Sequence, residues 1–304
     1  MHSPIQIGPV TVWPGEAAGK YPDGNQVIVR GTDSLAVFDT PIIANHLPVS
    51  AGFDDADLAI LGHVHEDHLA GLHRIPKAAV HVHDGDLAAL RSWEGLATHY
   101  GYSGEILESL HRKIQSEFHY APRPDAIGYQ DGAKWELGGG VTVQAFHMPG
   151  HTAGHSVLLV EPEGVAFIGD IDLSSFGPYY GDATSSLIDF RRTLARVAAI
   201  PARHWVTSHH KGVISSRESF LEQLAAFTAR IDAREEKLLQ LLAERPRTLE
   251  ELATIRVVYR PGASELWVES AERLSIARHL DELLQQGVVS REGERFFPAA
   301  TGRA

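Results

Sequence analysis

The chain reads as an α/β domain followed by a small helical tail. Two observations predict this. Over residues 5–215, short β-rich apolar runs alternate with helical stretches, and four of those runs finish on histidine or aspartate. Past residue 215, long amphipathic helices take over and one hairpin closes the chain. The expected division is therefore 1–215 for the α/β part and 216–304 for the tail.

The first strands are Ile5-Gln6-Ile7, Val10 to Trp13, Gln26 to Arg30 and Leu35 to Asp39, punctuated by Gly and Pro. Asp57 to Leu61 is a short buried strand. It runs into Gly62-His63-Val64-His65-Glu66-Asp67-His68, where four metal-binding side chains fall within six positions. His63 and His65 are two apart and point the same way on extended backbone, whereas Asp67 and His68 are adjacent and diverge. One loop can thus offer two ligands to one metal and two to a second. Ligands at the end of a strand sit where open α/β sheets bind.

Leu69 to Leu72 has the look of a short helix start. Ala78 to His83 alternates as a strand that puts His81 and His83 on one face, a second and weaker ligand pair. Residues 84–120 form a helical insertion, with Asp84 as a cap, a helix from Asp86 to Arg91 and an amphipathic helix from Glu105 to Phe118. Its aromatic content suits a pocket wall. Strands resume at Trp135 to Leu137 and Val141 to Phe146, and Pro149-Gly150 then turns the chain to expose His151. Val157 to Val160 and Val165 to Ile168 are further strands. The second leads to Asp170, with Asp172 as a rival. A helix from Ser186 to Ala199 precedes the strand His204 to Ser208, which ends on His209-His210.

In the tail, Ser216 to Glu244 is a long helix. Thr248 and Glu251 form a capping box for the next. A third runs from Glu269 to Gln286, and Val288 to Phe297 is a hairpin about Glu292-Gly293. This order suggests a winged-helix-like unit. Residues 246–304 hold eight arginines, no lysine and nine acidic residues. A wing that reads DNA should be basic, so packing, dimerisation or pocket closure is the expected role.

Composition excludes several functions. There are no cysteines, so disulfides, cysteine-ligated zinc and thiol catalysis are ruled out. The formal charge of −12 argues against a nucleic-acid partner. No apolar run reaches membrane-spanning length. Met1-His2-Ser3-Pro4 lacks the pattern of a secretory signal, so a cytoplasmic location is expected.

His63-Val64-His65-Glu66-Asp67-His68, Pro149-Gly150-His151-Thr152, Gly169-Asp170 and Ser208-His209 together resemble the metallo-β-lactamase fold superfamily in order and spacing, over residues 5 to about 215. The resemblance implies a four-layered αβ/βα sandwich with a metal site at the edge between two sheets. It implies one metal on His63, His65 and His151, a second on Asp67, His68 and His209, and Asp170 bridging them. His210 rivals His209, because glycine usually follows the last histidine. Two divalent ions, zinc by default with iron or manganese also fitting, would activate water against the carbonyl of an ester, thioester, lactone or amide of a small molecule. Asp67 would help orient that water. Relatives that use a cysteine ligand are excluded, flavodiiron proteins usually carry Glu at the position of His65, and transfer-RNA nucleases need a polyanion. Glyoxalase-II-like thioesterases and lactonases remain. The alternatives are a mononuclear iron persulfide dioxygenase and a metal-binding regulatory or nucleic-acid-interacting protein. Tyr179, Tyr180 and Lys211 are candidate substrate contacts, and a homodimer through the insertion or tail is a further expectation.

Overall fold

A computed structural model describes residues 3–299. Met1, His2 and residues 300–304, at the ends of the two segments read above, lie outside the described residues. Strands β1 (Ile5–Ile7), β2 (Val10–Trp13), β3 (Gln26–Arg30) and β4 (Leu35–Phe38) form an antiparallel meander. Strands β5 (Leu58–Ile60), β6 (Ala79–His83) and β7 (Ile127–Tyr129) extend it in parallel to a seven-stranded sheet. Helices α1 (Leu87–Arg91), α2 (Trp93–Tyr100) and α3 (Gly104–Glu117) fill the crossover from β6 to β7. Strands β8 (Lys134–Gly138), β9 (Val141–His147), β10 (Ser156–Glu161) and β11 (Val165–Phe167) begin a second sheet. After helix α4 (Leu187–Val197), β12 (His204–Val206) and β13 (Val213–Ile214) complete it, in the order β13-β12-β11-β10-β9-β8.

Alternation along each strand sorts side chains into separate cores. In β3 and β4, Val27, Val29, Ala36 and Phe38 face Leu158, Val160, Phe167 and Val206 of the other sheet. Their neighbours Ile28, Leu35 and Val37 turn outward and pack with Leu90, Leu96, Leu110 and Ile114 of the insertion. On the far side, Leu159, Ala166 and Trp205 pack beneath Phe190, Leu194, Phe220 and Phe227. Helix, sheet, sheet and helix thus stack as the expected four-layered αβ/βα sandwich.

The C-terminal part comprises α5 (Arg217–Glu244), β14 (Arg247–Thr248), α6 (Leu249–Ile255), α7 (Val268–Gln285), β15 (Val289–Glu292) and β16 (Arg295–Pro298). The capping box forms: Thr248 Oγ1 accepts from the Glu251 N–H and Glu251 accepts from the Thr248 N–H. The hairpin gains a third strand, in the order β14-β16-β15. Leu238, Leu242, Leu252, Ile276, Leu280, Leu283, Val289 and Phe296 make a core of their own here. Among the described residues, no helix is long and apolar enough to cross a membrane.

Two local expectations need correction, and one helix was not foreseen. The segment Leu69–Leu72 is not an α-helix: it turns between two 3-10 elements, Glu66–His68 and Leu72–Arg74, and only Leu72 belongs to one of them. The cap position of α1 is Asp86 rather than Asp84, and its carboxylate does not cap. It binds the Val64 and Gly154 N–H groups and the Thr152 hydroxyl, so it ties two site loops together. Helix α2 escapes a periodicity reading because Gly95 sits in its first turn, but Ser92 caps it by accepting from the Gly95 N–H.

A candidate dinuclear metal centre

The loops at one edge of the two sheets bring the histidine and aspartate motifs together. The His63–His68 loop leaves β5, the His151 turn leaves β9, Asp170 follows β11 and His209 follows β12. Two glycines make this convergence sterically feasible. Gly150 has φ +132, and a Cβ there would lie 2.3 Å from Phe190 Cα, so only glycine lets the His151 turn rest on α4. Gly169 has φ +56, and a Cβ there would meet His155 Nε2 at 2.5 Å. That same nitrogen accepts the Asp170 N–H at 3.2 Å while His155 Nδ1 donates to Met148 O, so a buried histidine fixes the turn that carries Asp170.

His63 Nε2, His65 Nδ1 and His151 Nε2 form a triangle with sides of 3.2, 3.2 and 3.1 Å. Ligands about 2.0–2.1 Å from one tetrahedral ion lie roughly 3.3 Å apart, so the triangle fits a shared cation. On the other side, His209 Nε2 lies 3.1 Å from Asp67 Oδ2, and His68 Nε2 lies 3.7 Å from Asp67 Oδ1. Asp170 stands between the groups. Its Oδ2 is 3.4 Å from His151 Nε2, and its Oδ1 is 3.3 Å from His68 Nε2 and 3.5 Å from His209 Nε2. His68 Nε2 and Asp170 Oδ1 are buried without a hydrogen-bond partner among the described residues. Buried polar atoms left unpaired are costly, and a cation between them would satisfy both. Each set of side chains could hold one metal ion.

The ring nitrogens that face away from the centre are mostly anchored. His65 Nε2 donates to Asp182 Oδ2 at 2.8 Å, His68 Nδ1 to Asp39 Oδ2 at 2.8 Å, His151 Nδ1 to Tyr179 O at 3.0 Å and His209 Nδ1 to Asp23 O at 2.8 Å. Such partners fix the tautomer and aim the free lone pair inward. Electrostatics divides the histidines. Burial pushes His63 well below its usual value and His151 to about 3. Burial also opposes charge on His65 and His209, but Asp182 outweighs it at His65, to about 9, and Asp170 with Asp67 does so at His209, to about 10. Burial alone would raise Asp170, yet His209, His68 and His63 hold it well below the carboxylate range.

The centre forms the floor of a cavity of about 880 Å³. Tyr100, Tyr102 and Leu110 of the insertion line it, as do Tyr179, α5 and the segment from Val257 to Trp267. The insertion is therefore a pocket wall. All seven ligand-type residues named from the sequence converge, and His209 rather than His210 points inward. His210 takes φ +57, the left-handed region that favours glycine, and turns its ring toward Asp172 at 3.8 Å.

Two expected substrate contacts need correction. Tyr180 is buried outside the cavity wall, its hydroxyl 2.8 Å from His279 Nε2 and 3.0 Å from Arg234 Nη1. Lys211 is exposed and also lies outside the wall. Tyr179 does line the cavity, with its hydroxyl donating to Asp182 Oδ1 at 3.1 Å. His81 and His83 do not approach the centre: His81 lies edge-on to Trp135, and His83 stacks on His147. Sequence reasoning missed Asp182, Asp39, His155, Glu66 and Tyr100. Glu66 accepts from the hydroxyls of Tyr21 and Tyr100 at the cavity edge. Glu66 sits inside the first motif, but its partners lie 45 and 34 positions away, and His155 meets Asp170 across 15 positions.

The sequence pattern of the Metallo-beta-lactamase superfamily matches residues 22–226. Beta-lactamase-like protein 2 homolog of Drosophila melanogaster is 28% identical over 161 residues, 52% of this chain and 51% of that protein. Atrochrysone carboxyl ACP thioesterase of Pseudocercospora fijiensis (strain CIRAD86) is 23% identical over 197 residues, 65% of this chain and 56% of that protein. The chain thus spans about half the length of the curated relatives it matches. A crystal structure of a metallo-beta-lactamase family protein from Thermus thermophilus superposes with a TM-score of 0.73 at 27% identity, covering 95% of this chain and 98% of that one.

Proposed function

Since the chain belongs to the metallo-beta-lactamase superfamily, we propose that it is a metal-dependent hydrolase that cleaves a carbonyl ester, thioester, lactone or amide of a small molecule. The observation that carries this reading is Asp170, whose two carboxylate oxygens face two separate sets of ligand-type side chains. In this reading His63, His65 and His151 would hold one ion and Asp67, His68 and His209 the other, with Asp170 a ligand available to either. Zinc is the default, and iron or manganese suits the same donors. A bound divalent pair supplies Lewis acidity, polarising a carbonyl and lowering the pKa of water toward neutrality.

The chain's own side chains do the rest. Asp67, beside the cavity, orients the attacking water and takes its proton. Asp182 and Asp39 hold the His65 and His68 rings so that their lone pairs stay inward. The Tyr102 and Tyr179 hydroxyls, 3.3 Å apart on the wall, position the substrate. Burial of the floor keeps bulk water from competing with the aligned one. A thioesterase among the relatives favours thioesters within this group. We infer that the C-terminal part, a long helix followed by a winged-helix-like tail, closes the cavity rather than binding nucleic acid.

The test is metal content followed by a substrate screen. Purified protein should carry about two ions per chain and hydrolyse members of a thioester, lactone and β-lactam panel. Asp170→Ala and His65→Ala should abolish turnover while leaving the circular dichroism spectrum unchanged. Full turnover in either variant would refute the assignment. One iron per chain, with oxygen uptake on a persulfide, would replace it with a dioxygenase.

A further inference from the structure

Above its floor the cavity has a basic wall. Arg230, Arg234 and Lys237 reach it from α5, and Arg260 reaches it from the segment between α6 and α7. Of the cavity's acidic side chains, Glu66, Asp67, Asp170 and Asp172 lie in or next to the metal-type cluster, and Glu265 lies in the segment between α6 and α7. The four cations are thus grouped on the C-terminal side of the cavity, in a chain of formal charge −12. Arg234 is buried and holds the neighbouring loop, donating to Pro178 O and Phe176 O, while its Nε has no hydrogen-bond partner among the described residues. Lys237 donates to Arg256 O. Arg230 and Arg260 are exposed, and no carboxylate lies within ion-pair distance of either among the described residues. All four lie beyond residue 226, where the family match ends. The wall therefore belongs to the C-terminal part, outside the segment that the family pattern matches.

We propose that the substrate carries an anionic group, phosphate or carboxylate, remote from the scissile carbonyl, and that Arg230 and Arg260 bind it with Lys237 and Arg234 adding charge. A guanidinium fork matches both oxyanions, and a cavity wall screens such contacts less than open surface does. Between rim and floor the aromatic side chains of Tyr100, Tyr179, Tyr259 and Trp267 leave room for an apolar linker. The assignment of the carbonyl end rests on the hydrolase reading above; that of the anionic end does not.

Three thioesters of one acyl group test this: those of pantetheine, which is neutral, of 4′-phosphopantetheine and of glutathione. In each, water adds to the carbonyl carbon, the C–S bond breaks, and carboxylate, thiol and a proton result. The expected kcat/KM of the metal-loaded protein is about tenfold or more higher for one anionic thioester than for the neutral one, equal to about 1.4 kcal/mol. The preferred one tells phosphate from carboxylate. In Arg230→Ala/Arg260→Ala the ratio should fall toward one, and in Arg230→Lys/Arg260→Lys it should largely return. Added salt should shrink the wild-type ratio. Equal rates on all three thioesters, or a preference that survives the double alanine variant, would overturn the proposal. If no thioester is hydrolysed, calorimetric binding of free 4′-phosphopantetheine and glutathione decides it separately. Binding lost in the double alanine variant supports the anionic wall while the thioester reading fails; no binding of either overturns the wall as well.

Discussion

Replacing Asp182 with asparagine separates two effects that the structure sets against each other. Asp182 Oδ2 accepts from His65 Nε2 at 2.8 Å, and Oδ1 accepts from the Tyr102 and Tyr179 hydroxyls at 3.1 Å each. The carboxylate is fully buried. On the proposed ligand assignment, loss of such a charged outer partner weakens metal binding by about 10–100-fold. The same carboxylate, against the effect of burial, holds the His65 pKa at about 9. At pH 7 the ring then carries a proton that the metal must displace, a penalty of about 100-fold for a pKa two units above the pH. Asparagine removes most of that penalty. At pH 9 the penalty is only about twofold, and the loss of the partner should show almost undiminished. Zinc affinities of wild type and Asp182→Asn, measured in chelator-buffered titrations, should therefore differ strongly at pH 9 and converge by more than about tenfold at pH 7. His68 and His209 are common to both proteins and cancel in the comparison. A gap that is the same at both pH values, or no gap at pH 9, would refute the opposition.

Two further outcomes follow from the same electrostatics and packing. In chelator-stripped protein, His65 and His209 have pKa values of about 9 and about 10 in the folded chain, above the unfolded value of about 6.5. Raised pKa values stabilise the fold fully below pH 6.5 and lose that contribution as pH rises through 9 and 10, so denaturant midpoints should fall over this window and a flat profile would contradict the assignment. Glu272 is buried and its carboxylate accepts from the N–H groups of Val257, Val258 and Tyr259 on the cavity wall. Glu272→Ala leaves three donors without their partner, at about 1–3 kcal/mol each if they stay buried. A stability loss of roughly 3 kcal/mol or more by urea denaturation is expected, together with faster amide exchange at 257–259, and an unchanged midpoint would show that solvent replaces the carboxylate.

The sequence made legible those features that are local in the chain. The strands of residues 5–40 and 57–61 follow from short β-rich apolar runs and that of 78–83 from alternation, and a period of two appears in the structure as the split of β3 and β4 between two cores. The motif residues are equally legible, because a metal site needs ligands in tight spacing along a loop and strands that end at one edge. What escaped was non-local. Asp182 meets His65 across 117 positions and Asp39 meets His68 across 29, and no spacing rule links them. β7 and β13 also escaped: β13 has two residues, too few to display a period, and β7 has glycine at the centre of its three. Tyr180 illustrates the opposite error. Proximity in sequence to Asp170 and Tyr179 suggested a substrate contact, but alternation past Tyr179 turns its ring into the protein, onto His279.

That inward turn also explains how the tail bears on the centre. Helix α7 brings His279 against the Tyr180 hydroxyl, and the adjacent Arg278 donates from Nε to Ser185 O at 2.9 Å and from Nη2 to Asp182 O. Ser185 Oγ donates in turn to His151 O at 2.7 Å, and the Asp182 side chain holds His65. The loop that orients two of the three histidines on one side of the centre is thus clamped from the C-terminal part by charged hydrogen bonds to backbone carbonyls. Because those carbonyls offer no charge of their own, the clamp depends on the position of α7 and not on the identity of the loop residues. The packing of Ile276, Leu280 and Leu283 that fixes α7 is in this sense an outer support of the site, although none of these three lines the cavity.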